Sequence, residues 1–296
     1  VQVRTEHYRL LKKIKDDRFE EEALHQYQLF LHIGIRDFQV LVVSDDQRVL
    51  LLEDYVLPEV SSPQELLTSL QELFESHSVL SAGFWGNIKI SFKTQKFVQV
   101  PTALFNEDSM LEYLMFNAQV DEQTETILKA QHNKQDTVTV FAVSTDLIEW
   151  LKVVYPNSNP VLMHQSAALI EGVLAESVKY NNNTLYVYID RFKLHIVSCN
   201  NGKLIYYNQF VINQFQDYVR YIMLVMKSLK MDQRTSQVVL WGYIGKNSPH
   251  YHEFYKFISN VNFGSRPASM RFSYFFDELQ EQHFFDLYSI NLIAKA

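Results

Sequence analysis

The sequence predicts an α/β protein of two lobes, each a mixed, five-stranded type of sheet flanked by helices and built on a duplicated βββαβα unit. Three observations lead there. The chain has 296 residues, and length divided by about 150 gives two domains. A pattern of three consecutive strands with short turns occurs at 29–56, LFLHIGIRDFQVLVVSDDQRVLLLEDYV, and again at 184–212, TLYVYIDRFKLHIVSCNNGKLIYYNQFVI. After each meander, helical and extended segments alternate, which favours a mixed sheet with helices on its faces.

The elements follow in order. Residues 5–15 carry Tyr8, Leu10, Leu11 and Ile14 at roughly helical spacing and predict a short helix. The first meander has strands at 29–35, 38–43 and 48–56, with a turn at Asp45-Asp46-Gln47; its Leu, Val and Ile content fits strands covered on both faces. Ser62 and Pro63 open a helix whose apolar stripe is Leu66, Leu67, Leu70, Leu73 and Phe74. NIKISFK at 87–93 alternates like an edge or hairpin strand, and Phe97–Val100 is a short strand broken by Pro101. Asp108–Asn117 reads as a helix with Met110, Leu111, Leu114 and Met115 inward, followed by strands at 125–130 and 137–143. Ser144 is placed to cap the helix that Pro156 ends.

PVLMH at 160–164 is a short strand, and QSAALIEGVLAES is a helix whose Ala167 and Ala168 allow close packing. The second meander precedes helix 214–229, with Phe215, Tyr218, Val219, Ile222, Val225 and Met226 as its stripe. Strand 237–241 runs into a loop from Gly242 to Pro249, and helix 250–259 follows. Extended pieces at 261–263 and 268–275 and a helix over 277–293 complete the chain. The two meanders align Phe38 with Phe192, Val42 with Ile196, Val43 with Val197 and Ser44 with Ser198. Past a one-residue insertion at the turn, Val49 aligns with Leu204 and Tyr55 with Phe210. The lobes are expected at 1–162 and 163–296, with an insertion at about 87–130 and a crossing helix at 165–178.

Composition excludes several classes. At 47% hydrophobic and 14% aromatic, the chain can fill two cores. Its net charge of −7, with no basic block, argues against a protein held to nucleic acid by phosphate contacts. A local basic face of Lys89, Lys93 and Lys96 beside exposed Phe92 or Phe97 is the one arrangement that would reopen that possibility. The single cysteine, Cys199, has no internal disulfide partner and fits a reducing compartment. No apolar run approaches the roughly 18 residues of a membrane span. VQVRTEHYRLLKKIK lacks the apolar stretch of a secretory signal and an initiator Met. The expectation is a cytoplasmic protein whose gene product begins upstream.

A βββαβα unit used twice, with an insertion in the first copy, resembles the actin-like ATPase fold, a ribonuclease-H-like architecture shared by actin, heat-shock chaperones and sugar kinases. PVLMHQSAALIEGVL is similar to the domain-crossing segment of pilus-assembly ATPase-like proteins, and QVVLWGYIGKNSPHYHEF resembles the adenosine loop of that fold. Over nearly its full length the chain resembles a bacterial family of unknown function with an actin-like fold. The resemblance implies that the first turn of each meander carries the phosphate and metal chemistry, as Asp-x-Gly-Ser/Thr: glycine lets amides approach phosphate, and aspartate holds the metal or its water. This chain departs from that pattern. The first copy reads His32-Ile33-Gly34-Ile35-Arg36-Asp37 and the second Tyr186-Val187-Tyr188-Ile189-Asp190-Arg191. Histidine is a poor ligand for magnesium, which prefers oxygen. The adenosine loop keeps Gly242 and Gly245 but has Tyr243 in place of a paired glycine.

The candidate residues each have a plain alternative. Gly34 is a phosphate-contact relic or a strand-end glycine at a bend. Arg36-Asp37 and Asp190-Arg191 either meet as opposite charges across an inter-lobe cleft or are solvated turn pairs, each contributing about 0–1 kcal/mol. His250-x-His252-Glu253 opens a helix and has no ligand partners in sequence, so surface histidines are favoured over zinc. His32 and His195 fall on strands and read as satisfied core histidines. Gly245-Lys246-Asn247-Ser248 echoes a phosphate loop without its spacing. Cys199 precedes Asn200-Asn201-Gly202, a hairpin sequence, and nothing nearby activates it. The aromatic stretch RFSYFFDELQEQHFFDLYSI reads as core more than as partner surface.

The expectation is therefore a non-catalytic, cytoplasmic actin-like protein, a pseudo-ATPase that binds another protein, with no catalytic residue, metal or cofactor. The alternative is a protein that still binds ATP, with or without magnesium, or a phosphorylated small molecule, using Gly34, Gly242 and Gly245 as backbone donors.

Overall fold

The computed structural model describes residues 8–132, 135–214 and 216–294, the side chain of His250 apart. They form two compact units, one of described residues up to 168 together with 269–276 and 293–294, the other of those in 169–268 and 277–292. The end of the chain is thus shared between the units, where the sequence assigned all of it to the second.

The first unit begins with β1 (Arg9–Lys15), β2 (Tyr27–Ile33), β3 (Asp37–Ser44) and β4 (Val49–Val56). The expected N-terminal helix is β1, an edge strand antiparallel to β4, with Arg9 opposite Val56 and Lys15 opposite Leu51; the part before residue 8 lies outside the described residues. An irregularity between Leu10 and Lys12 breaks strict alternation and only Ile14 is buried, so pairing with β4 and not the spacing of apolar residues makes this segment a strand.

Then come α1 (Pro63–Ser76), β5 (Asn87–Phe92), β6 (Phe97–Pro101), α2 (Met110–Met115), β7 (Glu125–Gln131), β8 (Thr137–Ser144), α3 (Thr145–Val154) and β9 (Val161–His164). α1 starts with a reciprocal cap. Ser62 Oγ accepts from the Glu65 amide and the Glu65 carboxylate accepts from the Ser62 amide, an arrangement that contributes about 1 kcal/mol. Its buried Leu66, Leu70, Leu73 and Phe74 share one core with Leu29, Leu31 and Ile33 of β2 and Leu147, Ile148 and Leu151 of α3. Ser144 flanks α3 but makes no side-chain cap.

The main sheet runs β1-β4-β3-β2-β5-β9. β5 is therefore an interior strand, parallel to both β2 and β9, where its alternation suggested an edge. Residues 87–92, the expected start of the insertion, belong to the main sheet as β5, and a second sheet, β6-β8-β7, spans 97–144. Its small core holds Val100, Leu114, Val138, Val140 and Ala142. In α2 only Leu114 is buried; Met115, expected inward, is 64% exposed.

α4 (Gln165–Glu176) begins in the first unit and ends in the second. The second unit continues with β10 (Thr184–Ile189), β11 (Lys193–Asn200), β12 (Lys203–Val211), α5 (Gln216–Ser228), β13 (Gln237–Gly242), α6 (Pro249–Phe257), β14 (Val261–Phe263) and α7 (Phe285–Ser289). Phe215, expected in the α5 stripe, lies outside the described residues. The sheet order is β12-β11-β10-β13-β14. Alternate residues of β10 serve two cores. Leu185, Val187 and Ile189 pack with Ile222, Val225 and Met226 of α5, while Tyr186 and Tyr188 pack with Leu169, Ile170 and Val173 of α4 and Phe285 of α7. The expected helix over 277–293 is mostly turns around the short α7, but the aromatic stretch does finish a core: Phe276, Phe284, Phe285 and Tyr288 are buried.

The two sheets share one strand order, β4-β3-β2-β5-β9 matching β12-β11-β10-β13-β14, with an antiparallel meander followed by two parallel strands. Their registers correct the alignment. Ile33 pairs with Phe38 and Ile189 with Leu194, so Phe38 corresponds to Leu194 and not Phe192, Val42 to Ser198 and Val43 to Cys199. Both meanders carry an irregularity at that equivalent step, between Val42 and Val43 and between Ser198 and Cys199. The correspondences of Val49 with Leu204 and Tyr55 with Phe210 hold, and the extra turn residue belongs to the first meander. A two-residue slip leaves every side chain on its original face, so hydrophobic patterning cannot detect it.

Candidate functional site

Each unit has a tight turn at the end of its first meander strand, and the two turns are backbone equivalents. The Gly34 amide donates to the Asp37 carbonyl at 2.9 Å, as the Asp190 amide does to the Lys193 carbonyl at 2.9 Å. The Leu57 amide reaches the Arg36 carbonyl, as the Ile212 amide reaches that of Phe192. The Lys93 amide donates to the Ile33 carbonyl, as the Tyr243 amide does to that of Ile189, both at 2.8 Å. Gly34 thus corresponds to Asp190, Asp37 to Lys193, and Lys93 to Tyr243.

The first turn is filled by an ion pair. Lys93 Nζ lies 2.6 Å from Asp37 Oδ2, and both side chains are 3% exposed. Gly34 makes room for it: a Cβ there would overlap Asp37 Oδ1 and crowd the Lys93 stem. The φ of Gly34 is not in the left-handed region, so glycine is required for space and not for a bend. The carboxylate fills the space beside Gly34 where a Cβ would stand, and the Gly34 amide is already bonded to the Asp37 carbonyl. His32 is fully buried on β2 between Gln39 and Ser91 in register. Arg36 is exposed.

The second turn is built differently. Asp190 is 2% exposed and its Oδ1 accepts from the Arg191 amide at 2.7 Å. The Arg191 guanidinium lies 4.4 Å from the centroid of the Tyr243 ring. Asp37 and Asp190 are therefore not solvated turn residues, and burial sets both apart from ordinary surface aspartates.

The loop after β13 is closed by its own unit. Gly242 has φ +94°, where glycine is strongly favoured, and a Cβ would overlap the Ile189 carbonyl. Its amide donates to the Gln282 carbonyl at 2.8 Å, and Gln282 Nε2 donates to the Ile244 carbonyl at 2.7 Å. Gly245 faces the Gln280 carboxamide. Ser248 caps α6 through the Tyr251 amide at 3.2 Å, so the Gly245–Ser248 echo of a phosphate loop is a turn and a helix cap. Nothing in the sequence singles out Lys93, Gln280 or Gln282 for these turns, because each acts on a residue far from it along the chain.

The other candidates fall into structural roles. His195 Nδ1 bonds Tyr207 Oη at 2.8 Å. Cys199 is buried, and burial pushes its thiol up despite hydrogen bonds from Ser177 and Tyr186. His252 and Glu253 lie on α6, Glu253 paired with Lys256. No metal-binding group of three or more His, Cys, Asp or Glu occurs among the described residues. The basic face for nucleic acid does not form. Lys89 is 4% exposed and donates to the Ile293 carbonyl at 2.6 Å, Lys93 is paired with Asp37, and Lys96 with Glu125. Phe92 is buried and Phe97 stacks on His164. No helix among the described residues is long and apolar enough to cross a membrane.

The first unit also contains a cavity of about 1100 Å³, lined by the starts of β5 and β9, the end of β7, and residues 157–160 and 293–294. It sits at the amino ends of the parallel strands, whereas open α/β sheets bind nucleotides at the carboxyl ends.

A family model described as "Protein of unknown function (DUF3822)" matches residues 16–261. No curated protein matches the chain. A protein of Bacteroides thetaiotaomicron VPI-5482, described as having an actin-like ATPase fold and unknown function, is similar in structure. Its TM-score is 0.77 at 20% identity, over 93% of this chain and 99% of that one. A chain of a PilM–PilN type IV pilus biogenesis complex has a TM-score of 0.55 at 12% identity, over 90% and 97%. The fold is the actin-like ATPase fold.

Proposed function

We propose, from the premise that the chain belongs to the DUF3822 family and has the actin-like ATPase fold, that it is a non-catalytic cytoplasmic protein that binds another protein. On this reading the two meanders descend from one duplicated unit whose phosphate chemistry has been replaced by packing. The observation that carries it is the buried Asp37–Lys93 pair against Gly34. A phosphate approaching that glycine would meet a carboxylate, and displacing it would strand a buried ammonium, at a cost of several kcal/mol. The closed Gly242 amide and the Arg191–Tyr243 stack extend the same argument to the second unit. The similarity to a protein found in a PilM–PilN complex is consistent with a protein partner.

The opposing reading, a retained nucleotide or phospholigand site using Gly34, Gly242 and Gly245, requires the Gly34 and Gly242 amides to leave their present acceptors. Thermal melting with ATP, ADP and magnesium tests the two. No shift is expected; a reproducible, saturable rise in Tm overturns the pseudo-ATPase reading, because a ligand that binds only the folded state raises its stability.

A further inference from the structure

We infer that the cavity of the first unit is a binding site for an extended, uncharged peptide segment of a partner protein; this rests on the protein-binding reading above and gives it a location. Three features of the cavity point the same way.

The first is the strands that line it. β7 pairs only with β8 and β9 only with β5 among the described strands, so each is the edge of its sheet. The end of β7, Lys129–Gln131, and the start of β9, Val161 and Leu162, both line the cavity. A strand edge offers a row of backbone donors and acceptors that an added extended segment can pair with.

The second is the chemistry of the lining. Carboxamides from Asn87, Gln131, Asn157 and Asn159 stand among apolar side chains. Carboxamides donate and accept, which matches a peptide backbone. No carboxylate lines the cavity among the described residues, so a cationic ligand finds no counter-charge there; of the basic lining residues, Lys129 is paired with Glu107 at 2.6 Å and His132 Nε2 with Thr139 at 2.8 Å.

The third is an unmet polar group. Trp85, 7% exposed, lines the cavity, and its indole N–H has no hydrogen-bond partner among the described residues. A buried donor left unsatisfied costs about 1–3 kcal/mol; the nitrogen is enclosed beneath the cavity wall, so a peptide carbonyl satisfies it once the indole turns toward the cavity on binding.

The test uses the full chain. A phage-displayed library of random peptides is selected against it, and the recovered peptides are synthesised with a fluorescent label and titrated by polarisation. Recovered sequences are expected to be uncharged with alternating apolar residues. Amide exchange is expected to slow at 129–132 and 161–162 on binding. Ala130→Trp, at a half-buried position lining the cavity, is expected to weaken binding about tenfold or more while the melting temperature shows that it folds. Peptides that bind equally well to Ala130→Trp and protect other segments overturn the location but leave the protein-binding reading standing. Recovery of no peptide, or of charged peptides alone, overturns the ligand class. A nucleotide-induced rise in Tm strikes instead at the pseudo-ATPase reading, so the two failures are separable.

Discussion

In the first unit, the turn after β2 is closed by Asp37 and Lys93, an ion pair almost without solvent exposure. In the second, the equivalent turn is closed by Arg191 lying over Tyr243. The backbones make the same three hydrogen bonds, and the side chain that closes each turn comes from the residue just after the end of the next parallel strand or from that strand's last continuation, Lys93 beyond β5 and Tyr243 beyond β13. One frame has been completed twice with different chemistry. A frame set by backbone bonding leaves side chains free to diverge: one filling position is shared, Lys93 with Tyr243, while its partner is Asp37 in the first turn and Arg191, at the position equivalent to Ile35, in the second.

The largest effect is expected from breaking the buried pair. Asp37→Ala leaves the Lys93 ammonium without its carboxylate and should cost about 3–5 kcal/mol in urea denaturation. Replacing both, as Asp37→Leu with Lys93→Met, should recover much of that loss. If the single variant costs no more than an exposed ion pair, the contrast between the turns is misdrawn.

The units also differ in a buried acid. Glu53 of β4 is fully buried and bonded by Lys13, His77 and Tyr55, each at 2.7 Å; its counterpart in the second unit is Asn208. Burial alone would raise the Glu53 carboxyl, but the bonds from His77, Lys13 and Tyr55 outweigh it and hold it down to about 2, against an ordinary 4.5. A depressed carboxyl stabilises the fold above its unfolded value. That contribution, about 3 kcal/mol, should be present above pH 4.5 and be lost as pH falls from 4.5 to 2. Glu53→Gln should flatten that part of the stability–pH curve, and hydrogen exchange in acid should rise in the first unit before the second.

Gly242→Ala should cost about 1–3 kcal/mol, from a left-handed φ that alanine tolerates poorly, and more if the Ile189 carbonyl cannot yield. Chemical denaturation measures it. The smallest effect is expected at the cation–π contact: Arg191→Ala should cost about 0.5–1 kcal/mol, and Tyr243→Phe, which keeps the ring, should cost less than Tyr243→Ala. A larger loss at Arg191 than at Asp37 would invert the comparison.

Sequence by itself determined the fold class, the two meanders, the Ser62 cap of α1 and the hairpin at Asn201-Gly202, whose φ values are both positive. These rest on local chemistry and on periodicity, which are written residue by residue. Tertiary structure alone decided that residues 9–15 are a strand, because β4 supplies the partner. It alone placed β5 inside the sheet and set the two-residue offset between the meanders, since a slip of two preserves every buried face. It alone showed that Asp37 is satisfied by Lys93, 56 residues away, and that Gln282 closes the Gly242 loop. Such pairs are separated along the chain and carry no periodic signal, so only the folded backbone brings them within hydrogen-bond distance.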